Sequence, residues 1–121
     1  NNLRLVRPIY RCDSEIFYRV MDVFCLTSRY EGLPYAVLEA LASNLPLVVT
    51  KVPGLKIFGA AKFGFDQVFV AENEVKAEVS AALDRAFAEL NKPCNHRVQA
   101  RDFFDYKAVY EAIEDLYTSL K

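Results

Sequence analysis

The sequence predicts an α/β protein with helices flanking a parallel sheet. Three observations carry this. Short, nearly continuous apolar runs at 23–27 (VFCLT), 46–50 (PLVVT) and 67–71 (QVFVA) have the pattern of strands buried on both faces. Amphipathic stretches with helical spacing alternate with those runs, as in a parallel sheet with helical crossovers. The length of 121 residues and the hydrophobic fraction of 53% suffice for one domain, 1–121, with one core.

Taken in order, LRLV (3–6) is a short strand candidate. Asp13 or Ser14 can cap a short helix that carries Ile16, Phe17 and Val20. The run 23–27 follows, with Cys25 expected inside as a small hydrophobe. SRYEGLP (28–34) is a loop punctuated by Gly32 and Pro34. YAVLEALA (35–42) reads as helix, and Pro34 suits its first turn, where a missing N–H costs nothing. After the strand at 46–50, residues 51–65 are irregular and contain Gly54, Gly59 and Gly64. Between Glu72 and Leu90, the residues Val75, Val79, Leu83, Ala86, Phe87 and Leu90 form one helical stripe. KPCN (92–95) breaks it, and a last helix carries Val109, Ile113, Leu116, Tyr117 and Leu120 on one face.

Composition excludes several classes. The formal charge is −1, which offers no electrostatic footprint for nucleic acid or an anionic membrane. No apolar run approaches the roughly 18 residues of a spanning helix. The start, NNLRLVRPIY, has neither the apolar stretch of a signal peptide nor an initiator Met, as expected of a piece of a longer chain. Cys12, Cys25 and Cys94 include no CxxC pair, and His96 is the one histidine, so neither a zinc site nor a disulfide framework is expected. Reduced thiols in a cytoplasmic protein are the plain reading. His96, in the polar stretch HRVQ, reads as a surface residue, and Asp22 as structural.

In open parallel sheets, ligands bind beyond the carboxyl ends of the strands. The loop 28–34 lies at that edge and leads straight into a helix, whose first N–H groups and dipole suit an anion. Gly32 permits close approach of a ligand to the backbone. Glu31 sits in this loop and Glu39 in the second turn of the helix, where side chains lean back toward the helix start. Carboxylates accept hydrogen bonds from sugar and ribose hydroxyls, so a nucleotide sugar fits the pattern. A Gly–Pro turn ahead of a solvated helix face accounts for the same residues equally well. Tyr30 and Tyr35 flank the loop, placed to pack against a sugar or base.

The run MDVFCLTSRYEGLPYAVLEALASNLPLVVTKVPG (21–54) resembles the signature of the family-four (group 1) retaining glycosyltransferases of the GT-B fold. That signature reads DVF–L–S–EG–P–LEA–A–G–PVV–T–G, with two glutamates that fall here at Glu31 and Glu39. ARDFFDYKAVYEAIEDLY (100–117) is similar to the family's closing helix. The resemblance implies a Rossmann-like parallel sheet with flanking helices in an incomplete C-terminal domain of a GT-B fold, the donor-binding part of an enzyme that moves a sugar from a nucleotide-diphosphate donor with retention. It implies that Glu31 is the catalytic-site glutamate, lying against the donor sugar. It also implies that the backbone of Gly32, Leu33, Tyr35 and Ala36 holds sugar and diphosphate, with Pro34 shaping the loop. Glu39 then holds the ribose, and Tyr10 and Arg11 lie near the base. No metal or other cofactor is implied, and no Asp-x-Asp triplet suggests one. The partners implied are the donor and a glycan or lipid-linked acceptor bound by an N-terminal domain outside this chain. Polysaccharide biosynthesis at the inner face of the membrane is the matching setting, and the isolated chain is expected to be inactive.

The sequence departs from the family pattern at several places. Ile9 stands for a glycine near the base. Leu45, preceded by Asn44, replaces the glycine before the second strand run, where Asn44 can supply a left-handed helix end. Pro53-Gly54 replaces a Gly-Gly pair. The Arg and Lys that neutralise the diphosphate fall upstream of the chain, and Arg7, Arg11, Arg29 and Lys51 read as surface charges. Of these, Arg29 is the one best placed to touch a ligand. In the strand order 3-2-1-4-5-6, the runs at 23–27, 46–50 and 67–71 are then neighbours in parallel, and 3–6 is a separate, loose edge. Two other readings remain open, a degenerate non-catalytic binding or regulatory domain of this fold and a sugar-nucleotide epimerase.

Overall fold

The computed structural model describes residues 14–58 and 65–119. Its elements are α1 (Ser14–Val20), β1 (Phe24–Leu26), α2 (Tyr35–Ala42), β2 (Leu47–Thr50), β3 (Val68–Ala71), α3 (Lys76–Ala88), α4 (His96–Phe104) and α5 (Tyr106–Ser119). The three strands form one parallel sheet in the order β1-β2-β3. Cys25 stands opposite Val48, and Val48 opposite Phe69. The expected neighbours thus pair as expected, while the strand candidate at 3–6 lies outside the described residues.

The sheet's two faces follow from the period-2 alternation of its strands. Leu47 and Val49 of β2 join Val37, Ala40 and Leu41 of α2 in one buried cluster, closed by Leu55 and Phe58 from the turns after β2. Phe24, Leu26, Val68 and Val70 pack against it. The opposite face buries Val48, Phe69 and Ala71 against Ala82 and Ala86 of α3. The α3 stripe is therefore centred on Ala82 and Ala86. Val79 and Leu83 are half-buried beside them, whereas Val75, Phe87 and Leu90 are exposed.

Cys25 corrects one expectation, because it is exposed rather than buried. The register places it on the α3 face, beside Val48. Helix α3 packs on β2 and β3, so its cover does not extend over Cys25. The short helix α1 also turns a different face inward. Ile16 and Val20 are exposed, and Tyr18 is the buried member, packed on Phe24 with ring centroids 5.9 Å apart.

His96 corrects another. It is fully buried, not a surface residue, and it begins a helix absent from the sequence reading. His96, Ala100 and Phe104 recur at steps of four and line the inner side of α4. The His96 Nδ1 faces the Leu45 carbonyl at 2.9 Å, and the Gln67 N–H donates to Nε2 at 3.3 Å. Those two contacts select the neutral tautomer with the proton on Nδ1. The Phe65 ring meets the imidazole edge-on at 5.6 Å. Burial lowers the imidazole's affinity for a second proton below its ordinary value.

Helix α2 ends as Asn44 allows. Asn44 has φ 57° and, among the described residues, is the one non-glycine residue with positive φ. The Leu45 N–H bonds the Ala40 carbonyl and the Asn44 N–H bonds the Leu41 carbonyl, each at 3.0 Å, which is a Schellman motif. Asn44 Oδ1 also accepts the Arg97 N–H at 2.7 Å, so it caps the start of α4. Arg97 Nε returns a bond to the Ala42 carbonyl at 2.5 Å. The end of α2 and the start of α4 are locked together.

The closing helix α5 is present, but its described side chains, Ile113 and Leu116 among them, are exposed. Among the described residues no helix is long and apolar enough to cross a membrane.

Candidate functional site

The carboxyl ends of the three parallel strands face one edge, and the loop 28–34 lies there. Its shape is held from several sides. Buried Thr50, the last residue of β2, donates its hydroxyl to the Ser28 carbonyl at 2.5 Å. Ser28 Oγ donates to Glu31 Oε1 at 2.6 Å. The Gly54 N–H reaches the Glu31 carbonyl at 3.1 Å. Arg29 pairs with Glu74 at 2.9 Å, and Lys51 with Glu72 at 2.7 Å. Arg29 and Lys51, read from the sequence as surface charges, are thus engaged with acidic residues of the turn after β3.

Two glycines have opposite surroundings. A Cβ on Gly54 would stand 1.7 Å from the Gly32 carbonyl oxygen and 2.2 Å from that of Glu31. Gly54 is therefore required where two backbone segments touch. A Cβ on Gly32 would meet nothing within 4 Å, so this position faces open space.

The loop delivers the chain into α2. Pro34 is its N-cap, with φ −72° and ψ 122° and no side-chain cap bond, and its carbonyl accepts the Val37 N–H at 3.0 Å. Tyr35 and Ala36 are the first two helical residues, so their N–H groups have no acceptor within the helix. Leu33 and Tyr35 have exposed side chains beside them, and Tyr30 is 89% exposed. Gly32, Leu33, Tyr35 and Ala36 are thus brought together on one open helix start.

Glu31 and Glu39 have different partners. Glu31 belongs to the loop through Ser28, whereas Glu39 accepts a hydrogen bond at 2.8 Å from the hydroxyl of Tyr18 on α1. An open groove of about 270 Å³ runs past Glu39 between Tyr18 and Arg97. Tyr10 and Arg11 lie outside the described residues. Among the described residues no three His, Cys, Asp or Glu side chains gather as a metal site would require.

Ser28, Thr50 and Tyr18 shape this edge and were not singled out for it by the sequence. Gly54 did carry a signal, as half of the Pro53-Gly54 pair that stands where the family has Gly-Gly. For Tyr18 there was none, because its partner lies 21 residues away on another helix.

Parallel strands wrapped by helices, with a tethered loop at the carboxyl edge opening on a helix start, define a Rossmann-like α/β domain. The chain belongs to the glycosyl transferases group 1 family, whose model matches residues 1–102. It is similar to a UDP-Gal:alpha-D-GlcNAc-diphosphoundecaprenol alpha-1,3-galactosyltransferase of Escherichia coli, with 29% identity over 97% of this chain and 30% of that protein. It is also similar to a mannosylfructose-phosphate synthase of Agrobacterium fabrum, with 30% identity over 86% of this chain and 24% of that protein. An uncharacterized glycosyltransferase of Haemophilus influenzae shares 42% identity over 36% of this chain and 13% of its own length. The chain therefore spans less than a third of these curated relatives. No solved structure matches it.

Proposed function

We propose that the chain is the donor-binding part of a retaining glycosyltransferase that uses a nucleotide-diphosphate sugar. The observation that carries this is the open start of α2 at the carboxyl edge of a parallel sheet, in a chain of the group 1 family. There the amides of Gly32, Leu33, Tyr35 and Ala36 would receive the donor's diphosphate. The charge that grows on the leaving diphosphate would be met by fixed N–H dipoles and the positive end of the helix, with no metal needed. Glu31, tied by Ser28, would lie against the sugar hydroxyls at the reacting end. Glu39 would accept the ribose hydroxyls, and Tyr10 and Arg11 would lie near the base. Gly32 leaves the space that a ligand close to the backbone needs.

The acceptor, a glycan or lipid-linked sugar, would bind residues outside this chain, and the chain alone would not transfer sugar. The name of the Escherichia coli relative, with its UDP-linked donor and diphosphoundecaprenol acceptor, supports this class of substrates. The whole enzyme would then sit peripherally at the cytoplasmic face of the membrane. No observation of its own favours the epimerase or the non-catalytic reading.

The test is a calorimetric titration of the whole protein with UDP, GDP and ADP, repeated with Glu39→Ala. Binding of one nucleotide, weakened by the substitution, is the expected result. Unchanged affinity in the variant removes Glu39 from the site, and no binding of any of the three overturns the donor reading.

A further inference from the structure

We propose that Tyr18 is a positioning residue that holds Glu39 in the orientation needed to accept the ribose hydroxyls of the donor. The inference rests on the donor reading of α2 and adds a residue from a different helix to it.

The geometry is specific. Tyr18 is buried, 9% exposed, while Glu39 is exposed on the outer side of α2. The Tyr18 hydroxyl donates to Glu39 Oε2 at 2.8 Å and also approaches the Ala36 carbonyl at 3.4 Å. The Tyr18 ring is fixed against Phe24 at the start of β1. A rigid aromatic anchored on the sheet thus reaches the first turn of α2 and one oxygen of its glutamate. Glu39 itself lines the groove between Tyr18 and Arg97, where a ligand can reach its carboxylate.

An exposed glutamate samples several rotamers, and binding must select one. A donor fixed by packing makes that selection before the ligand arrives. The phenol suits this task because burial and the adjacent Glu39 carboxylate push its pKa up to about 12. It therefore stays protonated, and stays a donor, at every pH at which an enzyme of this kind works. A bond that only pinned α1 to α2 would not need its acceptor to be an exposed carboxylate at the mouth of a groove.

The test uses the whole protein, with Tyr18→Phe, Glu39→Ala and the double variant. Each is titrated with UDP, GDP and ADP and with their 2′-deoxy and 3′-deoxy forms. Melting temperatures are measured alongside. The expected result is that Glu39→Ala abolishes the preference for the ribose form over the deoxy form. Tyr18→Phe then weakens the ribose form roughly 3- to 10-fold and leaves the deoxy form unchanged. It weakens nothing further in the Glu39→Ala background.

If Glu39→Ala abolishes the preference but Tyr18→Phe leaves ribose binding intact, the positioning role is overturned and the ribose reading stands. The same holds if Tyr18→Phe weakens ribose and deoxy forms equally, since that is the mark of a merely structural contact. If Glu39→Ala retains the preference, or no nucleotide binds, the donor reading itself fails and the role of Tyr18 with it.

Discussion

Gly54 and Gly32 touch backbone to backbone, so closely that a Cβ at position 54 would lie 1.7 Å from the Gly32 carbonyl oxygen. Neither carbonyl in the way is the end of a flexible side chain, so one of the two segments must move. Gly54→Ala should therefore destabilise the protein by about 2 kcal/mol or more and displace the loop 28–34. Gly32→Ala, which meets nothing within 4 Å, should leave stability within roughly 0.5 kcal/mol of its original value. The donor reading adds that Gly32→Ala weakens nucleotide binding all the same. Denaturant unfolding and nucleotide titration of the two variants side by side check both halves.

Asn44 performs two tasks that substitutions can separate. Its positive φ closes α2, and its side-chain oxygen caps α4 through the Arg97 N–H. Asn44→Gly keeps the first and loses the second, which should cost about 1 kcal/mol. Asn44→Ala loses the cap and strains the left-handed backbone, so the total should be about 2 kcal/mol. Equal stability of the two variants in urea would show that the backbone conformation carries no strain for alanine.

The parallel sheet was legible because all three strands are continuous apolar runs, and the end of α2 because few residues other than Gly and Asn accept φ near 57°. Helix α2 itself, 35–42, matches its sequence span. What was hidden depends on distant partners. His96 looked polar and solvated, yet its imidazole is satisfied by Leu45 and Gln67, 51 and 29 residues away. Its position at the head of the stripe His96, Ala100 and Phe104 was the available clue. Cys25 looked buried because hydropathy does not record how far α3 extends across the sheet. Tyr18 shares a helix with Ile16 and Val20, and only the packing on Phe24 decides which of them turns inward. The grouping of Gly32, Leu33, Tyr35 and Ala36 could be read from their order alone, whereas the ligand proposed for them comes from the family resemblance.

Thr50 ties the sheet to the loop, since its buried hydroxyl donates to the Ser28 carbonyl. Thr50→Val keeps the shape and removes the donor, leaving a carbonyl at the root of the loop without that partner. The expected loss is about 1 kcal/mol of stability. Protection of the loop amides against hydrogen exchange should fall in parallel, while that of β3 changes only with the global loss. Uniform loss across the sheet and loop would mean that Thr50 stabilises the fold without anchoring the loop in particular.

His96 should make the fold sensitive to acid. Burial lowers its folded-state pKa below the ordinary 6.5 that applies when the chain is unfolded. Below pH 6.5 the unfolded chain then takes up a proton that the folded one refuses, so the equilibrium moves toward unfolding. The contribution of neutral His96 is present in full above that value. It is lost as the pH falls from there through the folded-state value. A second proton on Nε2 would also face the Gln67 N–H, which now donates to that atom. Replacing His96 with Gln should lower the melting temperature at pH 7.5 and flatten its dependence on pH between about 7 and 5. A wild-type curve and a His96→Gln curve that run parallel through this range would show that other groups, not His96, set the acid response.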